Sequence, residues 1–322
     1  MSERSGRIGT LRRVTVVANP AAGSTDAGYV SAVASLCSSH AEQVQVFWTR
    51  RPGHATELAR RLASGSGPAG GRPDLIVAVG GDGTLREMAA GMVGGGQDAA
   101  PPLAVLPGGT GNSNYRSLWD DVPWTQALTA ALSGVGAELR KLDLARIGDP
   151  SRLVLLGAST GISSAATAAA RDIQVTGRSR YRAALQTIIP GYVPYPGAVT
   201  VDGVTVHRGP TVLVNVGGGR HRAGVFEILP HSVRDDGLLD VCVIGAAVQP
   251  AQALELMRSG AHLGRAGVVY RQGRTITVAR TDGAPLLFES DGEVIPGERT
   301  SFTIEVVPNA LPVLGSDRRP GG

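Results

Sequence analysis

Between Arg13 and Asn112 short apolar runs alternate with segments whose apolar residues recur at helical spacing. The runs are VTVVAN ending at Asn19, VQVFW (Val44–Trp48), LIVAVG ending at Gly80 and LAVL (Leu103–Leu106). Each has strand length and is closed by turn residues, which predicts four strands. The segments between them predict helices over Tyr29–Leu36, over His54–Leu62, and from Leu85 onward, where Leu85, Met88 and Met92 share a face. Trp124–Leu132 predicts another, and Ala63–Arg72 reads as a surface loop. Strands that alternate with helices form an open parallel sheet. Its strand ends at Asn19–Gly23, Thr49–Gly53, Gly80–Thr84 and Pro107–Asn112 then share one edge, the edge where ligands bind.

Beyond Lys141 the pattern changes. Leu153–Leu156, Ala198–Val206, Thr211–Val216, Leu238–Ile244, Thr275–Val278, Leu286–Glu289 and Phe302–Val307 are short and often alternating, with turn residues between them. They predict an antiparallel β domain. Helical patterns at Ile162–Ile173 with Tyr181–Ile188, and at Pro250–Leu263, interrupt it. The tail from Pro308 has no helical period and is expected to be loose and disordered. The reading is therefore two domains, residues 1–141 and 142–322, which suits a chain of 322 residues.

Composition narrows the class. A content of 42% hydrophobic and 18% charged residues describes a soluble globular protein, and no apolar run approaches the ~20 residues of a spanning helix. The polar, basic start MSERSGRIGTLRRV lacks a signal h-region, so a cytoplasmic location is expected. Cys37 and Cys242 are too few and too far apart for a disulfide framework or a zinc site. Among 31 basic residues the only lysine is Lys141. That excludes a G-x-x-x-x-G-K-[ST] loop and a V-A-I-K kinase lysine. A net charge of +4 with scattered arginines points away from nucleic acid. It favours, weakly, an anionic membrane surface.

Candidate chemistry concentrates in Leu75–Met92, LIVAVGGDGTLREMAAGM. Glycines at a strand-to-helix turn let an anion approach the free N–H groups of the helix. Asp82 places a carboxylate beside that anion, which is unfavourable unless a cation lies between them, so the turn suggests Mg²⁺-bound nucleotide. The plainer reading is a tight turn with Asp82 as a helix N-cap. A rival is a serine hydrolase. Gly157-Ala158-Ser159-Thr160-Gly161 fits G-x-S-x-G between LVLL and ISSAATAAA, and Asp202 or Asp240 with His221, His231 or His262 follow in triad order. A pyridine-nucleotide oxidoreductase is disfavoured, because no G-x-G-x-x-G follows a strand and no acid ends the strand at Trp48-Thr49.

Taken together, Gly80-Gly81-Asp82-Gly83-Thr84 and Pro107-Gly108-Gly109-Thr110-Gly111-Asn112 resemble the diacylglycerol kinase catalytic-domain family, which includes bacterial lipid kinases and sphingosine kinases. Asn19-Pro20…Gly23, Thr49…Gly53-His54-Ala55, Gly217-Gly218-Gly219, Pro230…Asp236-Gly237-Leu238-Leu239-Asp240 and Asp291-Gly292-Glu293 follow in family order. The resemblance implies an N-terminal three-layer α/β nucleotide-binding domain, a C-terminal antiparallel β-sandwich, and an active site in the cleft. It implies ATP held by Asn19, Pro20, Ala21, Ala22, Gly23, Thr49, Gly80, Gly81, Asp82, Gly83, Thr84, Leu85, Arg86, Thr110 and Asn112. Asp82 then holds the Mg²⁺ of ATP, directly or through water, and Glu293 is the general base. Asp236, with the carbonyls of Val233 and Leu238, matches a second cation site.

The implied acceptor is diacylglycerol or a related lipid, reached at the inner membrane face without crossing it; a homodimer is compatible. Tyr181–Ala198 is apolar enough to line an acyl groove, or to be ordinary core. Two positions depart from the family pattern. Arg86 stands where an Asn is usual and Ser113 where an Asp is usual, which keeps a soluble small-molecule alcohol as the alternative acceptor.

Overall fold

The computed structural model describes residues 11–67, 70–93, 100–148, 152–174, 178–222 and 226–317. Its chain forms two compact units. One comprises the residues up to Leu142 together with those from Ala310 on, the other Asp143–Asn309.

The first unit contains β1 (Leu11–Ala18), α1 (Ala27–Ser38), β2 (Ala41–Trp48), α2 (His54–Ala63), β3 (Leu75–Gly80), α3 (Asp82–Val93), β4 (Leu103–Pro107), α4 (Ser113–Trp119) and α5 (Trp124–Ser133). β1 pairs in parallel with both β2 and β3, and β3 with β4, so the order is β2-β1-β3-β4. Every residue of β3 is buried, as a central parallel strand covered on both faces requires. Polar Glu42 and Gln43 go to edge strand β2. Right-handed crossovers place α1 on one face and α2 and α3 on the other. α2 and α3 pack closely at Gly91, where a Cβ would lie 2.8 Å from that of Ala59. On the opposite face Tyr29 of α1 meets Trp124 of α5 edge-to-face, with ring centroids 5.0 Å apart. The chain leaves β1 toward β2 and β3 toward β4, so the topological switch point lies at the carboxyl ends of β1 and β3.

Two features of this unit differ from the sequence reading. The helix α4 was not expected, and its N-cap residue Asn112 makes no side-chain cap bond; its capping group comes from distant Asp82. Nor is residue 308 the start of a loose tail. A strand that begins in the second unit, Ser301–Ser316, runs on through it, and residues 310–314 are buried, with Val313 paired in parallel to Leu103 of β4. Lack of a helical period excludes a helix only, and Pro308 and Pro312 concealed the strand by reading as breakers. The last residues of the expected tail, 318–322, lie outside the described residues.

The second unit is antiparallel. It begins in β5 (Ala137–Ile147) and continues with β6 (Arg152–Val154), β7 (Gly157–Gly161), α6 (Ile162–Ala169), α7 (Arg178–Ile188), β8 (Tyr195–Val201), β9 (Val204–Gly217), β10 (His221–Arg222), β11 (Phe226–Glu227) and β12 (Leu239–Gly245). Then follow α8 (Pro250–Arg258), β13 (Val268–Gly273), β14 (Thr275–Arg280), β15 (Phe288–Ser290), β16 (Glu293–Val294) and β17 (Ser301–Ser316). The long β9 serves two sheets. Its first half pairs with β8, which continues into β14 and the start of β17. Its second half lies between β7 and β12, flanked beyond by β15 and by β13. Val199, Val201, Ile276, Val278 and Ile304 of the first sheet face Val214, Val216, Val241, Val243 and Phe288 of the second in one core. Phe288 stacks on Phe302, centroids 4.4 Å apart. This is the β-sandwich the resemblance implied.

On the other face of the second sheet, Ile162, Leu185, Leu213, Cys242, Ile244 and Met257 form a second core beneath the helices. Tyr181, Ile188 and Tyr192 pack against it, so the apolar side of the Tyr181–Ala198 segment is core. The expected strand Ala198–Val206 is instead a hairpin. Asp202 and Gly203 both have positive φ, 47° and 82°, and the Asp202 carboxylate accepts the Arg274 and Thr275 N–H groups. Cys37 and Cys242 are buried free thiols, each pushed up by burial to about 12.

Candidate active site

Asn19 follows β1 at the switch point and ties three strand ends together. Its backbone N–H donates to the Val79 carbonyl at 3.0 Å, its Nδ2 to Thr84 Oγ1 at 2.9 Å. Its Oδ1 accepts the Thr49 hydroxyl at 3.2 Å and the Ala21 N–H at 3.0 Å. Thr49 and Thr84 are buried. A Cβ on Gly80 would lie 2.5 Å from Thr84 Oγ1, so glycine at this position is a steric requirement of the network. Pro20, Ala21 and Gly23 are exposed on the loop that follows, with Ala22 half-buried.

The two glycine loops are packed backbone on backbone. Gly108 N–H donates to the Gly80 carbonyl at 2.8 Å, and a Cβ on Gly109 would lie 2.5 Å from Gly81 Cα. Relief of such a clash requires moving backbone, which typically costs about 1–3 kcal/mol. Gly109→Ala is therefore expected to lower the melting temperature by roughly 3–10 °C and to weaken nucleotide binding. Scanning calorimetry checks this, and an unchanged melting temperature would show that the loops separate freely.

Asp82 opens α3 and, at the same time, caps α4. Its Oδ2 accepts the Ser113 N–H at 3.1 Å, and its Oδ1 accepts both the backbone N–H and the Nδ2 of Asn114, at 3.0 and 2.9 Å. A negative charge thus sits at two positive helix ends. Two carboxylate oxygens offer about four lone-pair directions, so three accepted bonds leave Asp82 room for one further partner. That fits a Mg²⁺ held at a single oxygen or through water, and excludes bidentate chelation without loss of the cap. The first N–H groups of α3, at Asp82, Gly83 and Thr84, have no acceptor within the helix, and nothing lies within 4 Å of a Cβ placed on Gly83. Among the described residues no group of three or more His, Cys, Asp or Glu is arranged to hold a metal; Mg²⁺ bound through one carboxylate and substrate phosphates requires no such group.

Some of the expected nucleotide residues have side chains engaged within the unit itself. The Leu85 side chain is buried in the core. Asn112, at φ 51°, spends its amide on its own loop: Oδ1 accepts Gly109 N–H at 2.9 Å, and Nδ2 donates to Gly109 O at 2.7 Å. Thr110 is exposed on that loop, and Arg86 is half-buried in the second turn of α3. Asn114, which sequence reasoning missed, is buried and joins the two loops through Asp82.

In the second unit, Asp291 and Gly292 form a two-residue turn between β15 and β16, with φ of 47° and 82°, the geometry that favours Asp-Gly. Glu293 follows directly and is ion-paired, its Oε2 at 2.6 Å from Arg152 Nη2. Asp236 is exposed and its Oδ1 accepts the Leu238 N–H at 3.0 Å. Val233 and Leu238 lie in the same turn. Its floor is the buried Asp143, another residue without a sequence signal, which accepts Gly237 N–H at 2.6 Å and Asn309 N–H at 2.7 Å. Burial raises the Asp143 pKa, against the lowering effect of those two N–H groups.

The hydrolase reading fails on geometry. Gly157–Gly161 is a strand, not an elbow, and Ser159 lies in its middle, 1% exposed. Its hydroxyl donates to Glu289, whereas His262 is buried elsewhere against the Ile228 carbonyl.

Residues 13–147 match the model of the diacylglycerol kinase catalytic domain, and residues 157–315 that of the YegS C-terminal NAD kinase beta sandwich-like domain. A Pseudomonas fluorescens protein named as a probable YegS-like lipid kinase is 30% identical over 287 residues, 86% of this chain and 89% of the relative. One from Pseudomonas syringae pv. tomato with the same name is 32% identical over 269 residues, 80% of this chain and 83% of the relative. A crystal structure of a diacylglycerol kinase from Bacillus anthracis superposes with a TM-score of 0.70 at 19% identity, over 96% of this chain and 99% of that one. Yeast NADH kinase complexed with NADH shares the fold more distantly, with a TM-score of 0.52 at 12% identity, over 97% and 85% of the two chains.

Proposed function

The chain belongs to the diacylglycerol kinase family and is an ATP-dependent kinase, and from that premise we propose that it phosphorylates a hydroxyl of diacylglycerol or a related lipid. The observation that carries the nucleotide part is the Asn19–Thr49–Thr84 network at the switch point, beside two glycine loops closed on each other. Backbone N–H groups of α3 and of the Asn19–Gly23 loop bind phosphate oxygens there without a lysine. Asp82 would hold Mg²⁺, directly or through water, and the bound ion would supply charge neutralisation for the transferring phosphoryl group. Loops packed backbone on backbone hold the phosphates in place, and positioning is most of what phosphoryl transfer demands of a protein. Glu293 accepts the acceptor's hydroxyl proton, and Arg152 holds one of its oxygens in place. Val233, Asp236 and Leu238 would hold a second cation, through the Asp236 carboxylate and the Val233 and Leu238 carbonyls.

The acceptor is drawn from a membrane surface. No helix among the described residues is long and apolar enough to cross a membrane. Incubation with [γ-³²P]ATP and either dioleoylglycerol in detergent micelles or an aqueous metabolite extract tests the acceptor. Label is expected in the organic phase; label confined to the aqueous phase would replace the lipid by a soluble alcohol.

A further inference from the structure

Glu289 lies in β15, is 5% exposed, and takes no part in the chemistry above. Its two carboxylate oxygens are committed in different directions. Oε1 accepts the Ser159 hydroxyl at 2.5 Å, and Oε2 accepts the Gly292 N–H at 2.9 Å. Ser159 stands opposite Glu289 in the β7–β15 ladder. Gly292 is the residue immediately before Glu293.

Asp291 fastens the same turn separately. Its carboxylate accepts the N–H groups of Leu155 and Leu156, each at 2.8 Å, and of Gly157 at 3.2 Å, while its own N–H donates to the Gly157 carbonyl at 2.9 Å. Among the described residues the Glu289 carboxylate is the acceptor that ties the Gly292 N–H to the sheet. A buried carboxylate is unfavourable unless its charge is met. Here the Arg222 guanidinium lies over Gly157 and Gly217, where any Cβ would collide with it, and its charge acts on Glu289. Burial raises the Glu289 pKa; the Ser159 hydroxyl and the Arg222 charge pull it down.

We propose that Glu289 is a positioning residue, which through the Gly292 N–H fixes the Asp291–Gly292 turn and so the direction of the Glu293 carboxylate. This rests on Glu293 as the base. Gly217, of the Gly217-Gly218-Gly219 motif, leaves room beside the Arg222 guanidinium, which donates to the Leu156 carbonyl at 2.9 Å.

The test uses the full chain with Mg-ATP and dioleoylglycerol in detergent micelles, and reads kcat, KM for Mg-ATP, and amide hydrogen exchange in the peptide covering residues 289–296. Glu289→Leu removes both bonds. It is expected to lower kcat about tenfold and to speed exchange by a similar factor, the worth of one lost hydrogen bond, with KM for Mg-ATP unchanged. Glu289→Gln can still accept from Gly292 N–H while its amide donates to Ser159, so it is expected to restore most of kcat. Should Glu289→Leu not fold, Ser159→Ala loosens only the Oε1 side and is expected to change kcat and exchange about threefold. Wild-type kcat and wild-type exchange in the folded variants overturn the proposal, as does a loss that falls equally on kcat and KM. Turnover by Glu293→Gln at the wild-type rate sinks the base reading itself. Full loss in Glu293→Gln with none in Glu289→Leu sinks the positioning role alone. If the wild type does not label dioleoylglycerol, the acceptor reading fails and the exchange arm still decides the turn: unchanged exchange in Glu289→Leu overturns its anchoring by Glu289.

Discussion

Glu293→Gln is expected to lower phosphoryl transfer by about 10²–10⁴-fold, the usual worth of a general base, while the dissociation constant for Mg-ATP stays near the wild-type value. Gln matches Glu in shape but has no basic oxygen, so the change removes proton acceptance and little else. The substitution also replaces the Arg152–Glu293 ion pair, which is half-exposed and so contributes little to stability; melting should not move. Binding is read by titration calorimetry and transfer by the label assay in parallel. Weakened Mg-ATP binding comparable to the loss of turnover would contradict the assignment, because it would place Glu293 on the nucleotide rather than on the acceptor.

Asp82→Asn should produce two separable losses. The new amide retains one oxygen for Asn114 but presents its NH₂ to the Ser113 N–H, donor against donor. Loss of a helix cap costs about 1–2 kcal/mol, visible as a lower midpoint in urea. Loss of the charge that retains the cation should weaken Mg-ATP by about 10- to 100-fold, and Mg-free ATP far less. Asn114→Ala is the control, since it removes one donor to Asp82 and leaves the carboxylate: stability should fall while the magnesium dependence persists. Equal losses with and without magnesium in Asp82→Asn would reduce Asp82 to a cap.

The double duty of Asp82 also bears on one of the two family departures. With Ser113 present, its backbone N–H, not its side chain, is what meets Asp82. The missing carboxylate at that position therefore leaves the Asp82 cap intact.

Much of this could be read along the chain. Strand–turn–helix alternation placed β1 to β4, because a parallel strand buried on both faces must be an unbroken apolar run, as LIVAVG is. Alternation and turn residues likewise marked most strands of the sandwich. The glycine loops and Asp291-Gly292 stood out because glycine at a close approach or a positive φ has few substitutes.

Other features left no local mark. The helix α4 has its cap in Asp82, on another loop, so no residue beside it announces its start. The strand after Pro308 is specified by its neighbour Leu103 in space, and its prolines read as a break. G-x-S-x-G looked like a nucleophile turn because a short motif carries no record of its backbone conformation; only pairing with β9 and β15 makes it a strand. Asp143 and Glu289 are acids within strands, and each meets a donor far away in sequence, the Gly237 N–H for Asp143 and the Ser159 hydroxyl for Glu289. Sequence alone determined the order of elements, the glycine positions and the identity of the carboxylates, because these follow from local backbone geometry and side-chain chemistry. Tertiary structure alone decided which donors each carboxylate meets, since a hydrogen bond is made to whichever donor the fold brings within about 3 Å.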